Sequence, residues 1–226
     1  MRVLRIGGRY LQGREQRFWA CLAAITLTPV ALAATVRIEV AVVAGFAALL
    51  LVPKLARRLR DTRHGRLGER IVTTALRQLS DDYILINDVV LGRHRGNVDH
   101  VLIGPCGVVA IETKRLAGDI RCYGDTWSVN GYTRGSISKQ VNSGATAIRS
   151  FLIERHPELR DSALRWVESV IVFTHPLCRL HVDQSRAVVV RFSELLQAVV
   201  AISERKRIIS ATTDTLARTL MSAARK

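Results

Sequence analysis

The chain has 226 residues, with 34 Lys and Arg against 19 Asp and Glu, a formal net charge of +15 and 48% hydrophobic residues. A mean hydropathy of +0.15 beside a pI near 10.9 excludes a disordered basic tail protein, which would be poor in apolar residues. Four Cys without regular spacing exclude a disulfide-rich secreted scaffold, which leaves a folded domain of basic surface joined to something unusually apolar.

The apolar excess lies near the start. Residues 18–36 (FWACLAAITLTPVALAATV) hold no charge, Arg37-Ile38-Glu39 interrupts them, and residues 40–52 (VAVVAGFAALLLV) are uncharged again. An 18-residue helix spans about 27 Å, close to the hydrocarbon thickness of a bilayer. The first stretch is long enough to cross. The second reaches that length if Ile38 and Leu55 are included and Lys54 snorkels. Pro29 is a kink that membrane helices tolerate. The pattern predicts a transmembrane helical hairpin over 18–55, after a basic cytoplasmic lead (1–17) and before a basic linker (56–64). Arg2, Arg5, Arg9, Arg14 and Arg17 precede the hairpin, and Lys54, Arg57, Arg58, Arg60, Arg63 and Arg66 follow it. By the positive-inside rule both ends face the cytoplasm, as a two-helix protein of the plasma membrane. Two other readings fit the same residues: a signal peptide cut near Ala31-Leu32-Ala33, and a hairpin buried in a soluble core. Residues 1–66 hold twelve basic and three acidic side chains, so much of the high pI is topology signal and does not by itself argue for nucleic acid.

Residues 65–226 read as a mixed α/β domain. Apolar spacing predicts a helix over 65–79 and another over 138–155. Strand-formers occupy 83–91, 97–103, 108–113, 167–174 and 187–191, and two short strand pieces flank Gly124-Asp125. Closing helices are expected over 193–203 and 210–224. A cytoplasmic domain keeps Cys106, Cys122 and Cys178 as thiols, with Cys21 in the membrane.

The turn Gly104-Pro105-Cys106-Gly107 sets the register of a central hairpin. If Pro105 and Cys106 are its two loop residues, paired numbers sum to 211, and Asp99 falls opposite Glu112. Side chains alternate along a strand, so Asp99, Glu112 and Lys114 share one face, while His100 and Thr113 point to the other. Opposed carboxylates among apolar neighbours repel, and Mg²⁺ or Mn²⁺ would compensate them through hard oxygen ligands. Lys114 could then orient an attacking water and steady charge on a phosphoryl group. A structural ion-pair network of the same three residues is equally compatible with their chemistry. Arg93 and Arg95, in the turn beside the hairpin, either touch a phosphate backbone or belong to a solvated loop. No Walker A sequence, Gly-x-Gly-x-x-Gly, Cys-x-x-Cys pair or Ser-His-Asp arrangement is present.

Gly68-Glu69, Asp88-Val89, Val98-Asp99-His100-Val101, the run from Gly104 to Glu112-Thr113-Lys114, Gly118-Asp119-Ile120 and Trp127 together resemble the nuclease-related domain (NERD) family. That family is assigned to the PD-(D/E)XK, restriction-endonuclease-like superfamily. The resemblance implies a mixed sheet flanked by helices and Mg²⁺-dependent hydrolysis of DNA, with RNA as another possible substrate. It implies that Asp99 and Glu112 bind the metal, joined by the Thr113 carbonyl, and that Lys114 is the catalytic lysine. Glu69 would be an additional acid from the first helix. Gln140 would contact metal-bound water or a phosphate, or be an exposed helix-start residue. Val98 stands where the superfamily name has Pro. The alternative function is a catalytically silent module of the same fold, holding nucleic acid or a protein at the membrane.

Overall fold

The computed structural model describes residues 1–5, 9–35, 38–91, 97–205, 208 and 210–223; the side chains of 5–12, 14–15, 29–41, 44–45, 58 and 210 lie outside the description as well. Two compact units result, Met1–Gly8 with Gly68–Lys226, and Arg9–Leu67.

The smaller unit is built from α1 (Arg9–Thr35) and α2 (Ile38–Leu76), the latter running on into the larger unit. Pro53 lies inside α2. It removes one backbone donor there, and the Leu-, Ala- and Arg-rich residues on both sides favour helix. The expected linker 56–64 is therefore helical and continuous with the helix expected from residue 65. The Arg63 guanidinium stands 5.6 Å from the centre of the Trp19 ring. The expected transmembrane hairpin gains no support, because among the described residues no helix is long and apolar enough to cross a membrane. The uncharged run of α2 from Val40 to Pro53 reaches only about 21 Å, against about 30 Å of hydrocarbon. The side chains of 29–41, the middle of the expected hairpin, lie outside the described residues.

The larger unit centres on a meander of β2 (Ile84–Val90), β3 (Asn97–Gly104) and β4 (Gly107–Lys114). Its turn is the predicted one: Gly104 pairs with Gly107 and His100 with Ile111, each summing to 211. Gly107 takes φ +79°, a conformation open to glycine at the end of a two-residue loop. β8 (Val167–Phe173) adds parallel to β4, and β10 (Val188–Arg191) parallel to β8. The opposite edge is β1 (Arg2–Arg5), parallel to β2. The six-stranded order is β1-β2-β3-β4-β8-β10.

The single mixed sheet expected from sequence is thus two sheets. The second contains β5 (Gly118–Tyr123), β6 (Thr126–Val129), β7 (Tyr132–Arg134) and β9 (Cys178–Asp183), in the order β7-β6-β5-β9. β1, β7 and β9 were not anticipated. Each is short and polar, and each pairs along a sheet edge, where one strand neighbour suffices and burial is slight.

Helices cover both faces of the large sheet. Alternate residues Ile84, Ile86, Val101, Ile103, Val108 and Ala110 pack with α3 (Ile137–Ile153) and α5 (Ser210–Ala223) through Val141, Ile148, Leu152, Leu216 and Leu220. The intervening Leu85, Leu102, Val109 and Ile111 pack with Val72 and Leu76 of α2 and with Leu195 and Val199 of α4 (Leu195–Arg205). This is the mixed α/β architecture, with sheets flanked by helices, that the hydrophobic alternation predicts. None of the four cysteines forms a disulfide.

Candidate active site

The candidate site lies where β3 and β4 part. Their ladder runs through His100–Ile111. One residue further, the strands are joined by a side chain: the Thr113 backbone N–H donates to Asp99 Oδ2 at 2.9 Å. Asp99 and Glu112 continue the rows of Val101 and Ala110, so both face the α3 layer.

On that face Glu112 is almost fully buried, at 5% side-chain exposure, with Lys114 at 24%. Glu112 Oε1 accepts from Lys114 Nζ at 2.6 Å and from Gln140 Nε2 at 2.7 Å, and Lys114 Nζ also donates to Gln140 Oε1 at 3.1 Å. The three side chains close a triangle. Gln140 reaches it because α3 begins there. Ser136 caps the helix by accepting from the Lys139 N–H, and buried Trp127 donates to Ser138 Oγ at 2.7 Å. Gly144, one turn on, lets the helix lie against β3, since a Cβ there would come within 2.8 Å of Val98 Cγ2.

Glu69 arrives from the other layer. A Cβ on Gly68 would come within 3.0 Å of both Thr113 Cγ2 and Thr174 Oγ1, so α2 touches the end of β4 and sets buried Glu69 near the site. Burial holds the Asp99 carboxyl well above the ordinary carboxylate range, with the Glu112 and Glu69 carboxylates adding to the rise. The Thr113 N–H and the Lys114 ammonium offset part of it.

Behind the site, on the α2 face, lies a buried polar set. His100 Nδ1 is 2.7 Å from Asn87 Oδ1, and Nε2 is 3.2 Å from Thr113 Oγ1. An Nδ1–H donating to Asn87 leaves Nε2 to accept the Thr113 hydroxyl. Burial pushes the His100 pKa down to about 3, so the ring is neutral. The carbonyl of Asn87 thus fixes His100, His100 fixes Thr113, and Thr113 fixes Asp99.

Asp88 was singled out only within the family resemblance. By the ladder of β2 and β3 it stands across from Asp99, yet it takes φ +62° and accepts from Asn97 Nδ2 at 2.9 Å. Its left-handed backbone interrupts the strand alternation beside the site. Such strain is rare outside Gly, Asn and Asp. The Asn87-Asp88 pair within a strand was the available signal.

Asp99, Glu112, Lys114, Gln140 and Glu69 are therefore brought together at one end of β4. Arg93 and Arg95 lie outside the described residues. Among the described residues no group of three or more His, Cys, Asp or Glu side chains is arranged to hold a metal ion.

The sequence matches the nuclease-related domain family, NERD, over residues 64–174. This segment is a nuclease-related domain. The NERD match spans the end of α2 through β8, and so contains every candidate site residue. No curated protein matches the chain. A solved structure with likeness to it is that of Pyrococcus furiosus SfsA in complex with Ca²⁺, at 17% identity and a TM-score of 0.27, covering 73% of this chain and 55% of that one.

Proposed function

We propose that the NERD domain is a metal-dependent nuclease that hydrolyses DNA phosphodiester bonds. The observation that supports this best is the burial of Asp99 close to the Glu112 and Glu69 carboxylates, with the Lys114 ammonium paired to Glu112. A divalent cation would stabilise the charged form of Asp99 beside the Glu112 carboxylate, which burial and its neighbours otherwise disfavour. The donor set suits Mg²⁺ or Mn²⁺, which take one or two carboxylates and fill the remaining positions with water or substrate phosphate. Asp99 and Glu112 would hold the ion, with the Thr113 carbonyl on the same strand edge as the N–H that binds Asp99. The ion would polarise a phosphoryl oxygen. Lys114 Nζ, fixed between Glu112 and Gln140, donates to a water or to the oxygens that gain charge as phosphorus is attacked. Gln140 fixes Lys114 and offers its amide to a phosphate. Arg93 and Arg95 would add backbone contacts without reading sequence.

The domain is tethered, in this proposal, to the plasma membrane with both ends of the helical pair in the cytoplasm. Two observations support the tether. Val42, Val43, Phe46, Leu49, Leu50 and Leu51 of α2 are exposed apolar side chains, a surface that lipid would cover. In addition, β1 before α1 and β2 after α2 pair in one sheet. Any crossing made between them must therefore be made twice.

The test uses the full chain in detergent. Cleavage of single- and double-stranded DNA, and of RNA, is measured with Mg²⁺ or Mn²⁺ beside Lys114→Ala and Asp99→Ala. Cleavage that both substitutions lower by about a hundredfold or more supports the assignment. Cleavage unchanged by either removes it. Metal binding without cleavage on any substrate favours the silent module, a reading that the closed Glu112–Lys114–Gln140 triangle also fits.

A further inference from the structure

Along α3, beyond Gln140, runs a groove of about 510 Å³. Asn142, Thr146 and Arg149 line it from one face of the helix, at spacings of four and three, and Trp166, Ser169 and Arg186 line it from the start of β8 and the approach to β10. Among the described residues its lining holds no acidic side chain. Trp166 is 63% exposed, unusual for the largest apolar side chain. Its segment is ordered: Arg149 Nε donates to the Leu164 carbonyl at 2.8 Å and to the Arg165 carbonyl at 3.3 Å. Arg186 meets Asp125 only at 3.8 Å and is 78% exposed.

The groove points back to the candidate site. From Gln140 to Arg149 the helix rises about 14 Å. Val167, beside Trp166, pairs with Val108, four residues before Glu112 on β4, which is about 13 Å along a strand. A chain lying in the groove would therefore lie within about 14 Å of the carboxylates, a span of two or three nucleotides.

We propose that this groove binds a single strand of nucleic acid, with one base stacked on Trp166 and the flanking phosphates met by Arg149 and Arg186. An exposed indole offers a π-face to any base. A duplex keeps its base faces stacked internally and cannot use it. The basic, acid-poor lining complements a phosphate backbone. The inference rests on the nuclease reading and deepens it: the substrate is single-stranded, or unpaired where it passes Trp166.

Binding of a fluorescent oligo(dT) and of a blunt duplex to the full chain in detergent is measured by anisotropy in EDTA, beside Trp166→Ala, Trp166→Phe and Arg186→Ala. Trp166→Ala should weaken oligo(dT) binding about tenfold, while Trp166→Phe, which keeps a stacking face, stays within about threefold. Arg186→Ala should lower the salt slope by about one. Duplex binding should not respond to Trp166. The proposal is overturned if Trp166→Ala binds oligo(dT) as wild type, if it weakens oligo(dT) and duplex equally, or if polyglutamate displaces the oligonucleotide at equal charge concentration. Loss of strand binding in Trp166→Ala without cleavage under any condition upholds the groove and removes hydrolysis. DNA cleavage indifferent to Trp166→Ala keeps hydrolysis and removes the groove.

Discussion

Asp99 shows what the site costs the fold. Its carboxyl titrates well above the ordinary range because burial and two neighbouring carboxylates disfavour the charged form. The folded protein thus holds a proton that the unfolded chain releases near pH 4. Stability from this group is present at low pH and is lost as pH rises through the raised folded value. Asp99→Asn, which keeps an acceptor for the Thr113 N–H, is expected to be more resistant to urea than wild type at pH 7 in EDTA. Mn²⁺ should raise the unfolding midpoint of wild type and leave that of Asp99→Asn unchanged. His100 works in the opposite sense. Its folded value of about 3 lies below the ordinary 6.5, so the unfolded chain binds a proton that the folded one refuses. Between those values, stability falls by up to about 1.4 kcal/mol for each unit of acidification. Denaturant titrations at pH 7 and pH 5 should show this extra acid sensitivity in wild type and its loss in His100→Gln.

At the level of elements, two glycines bring helices from opposite layers onto one strand. Gly68 lets α2 touch Thr113, and Gly144 lets α3 touch Val98. A methyl group at 144 must displace a buried valine, because 2.8 Å is too short for two carbons in contact. Gly144→Ala is expected to lose about 1–3 kcal/mol by urea unfolding. Part of that loss should return in a Val98→Ala background, as coupled neighbours are not additive. Activity should fall with it, since Gln140 lies one turn from Gly144. The hairpin itself was legible beforehand: Gly-Pro-Cys-Gly specifies a two-residue loop, a two-residue loop specifies register, and register places Asp99 with Glu112. The point where the ladder stops was not legible, because it depends on a Thr113 N–H turning from backbone to side-chain acceptor.

For the whole molecule, β1 links what comes before the helical pair to what comes after it. A reporter fused after Lys226 is expected to read as cytoplasmic, and the chain should leave the membrane fraction with detergent and not with high salt. A reporter signal from the far side of the membrane, or release by salt alone, would remove the tether.

Local patterns carried much of this protein by themselves. Alternation and helical spacing marked the central strands and helices because burial imposes those periods on any sequence. Opposed acids on a turn of known length marked Asp99, Glu112 and Lys114. Only the tertiary structure decided the rest. The edge strands β1, β7 and β9 bury too little to leave a pattern, and they form where a partner edge already exists. Glu69 and Gln140 sit far from Asp99 in the chain, and nothing local places them beside it. Layer packing against one sheet brings them there, through glycines whose lack of a side chain matters only once the layers meet.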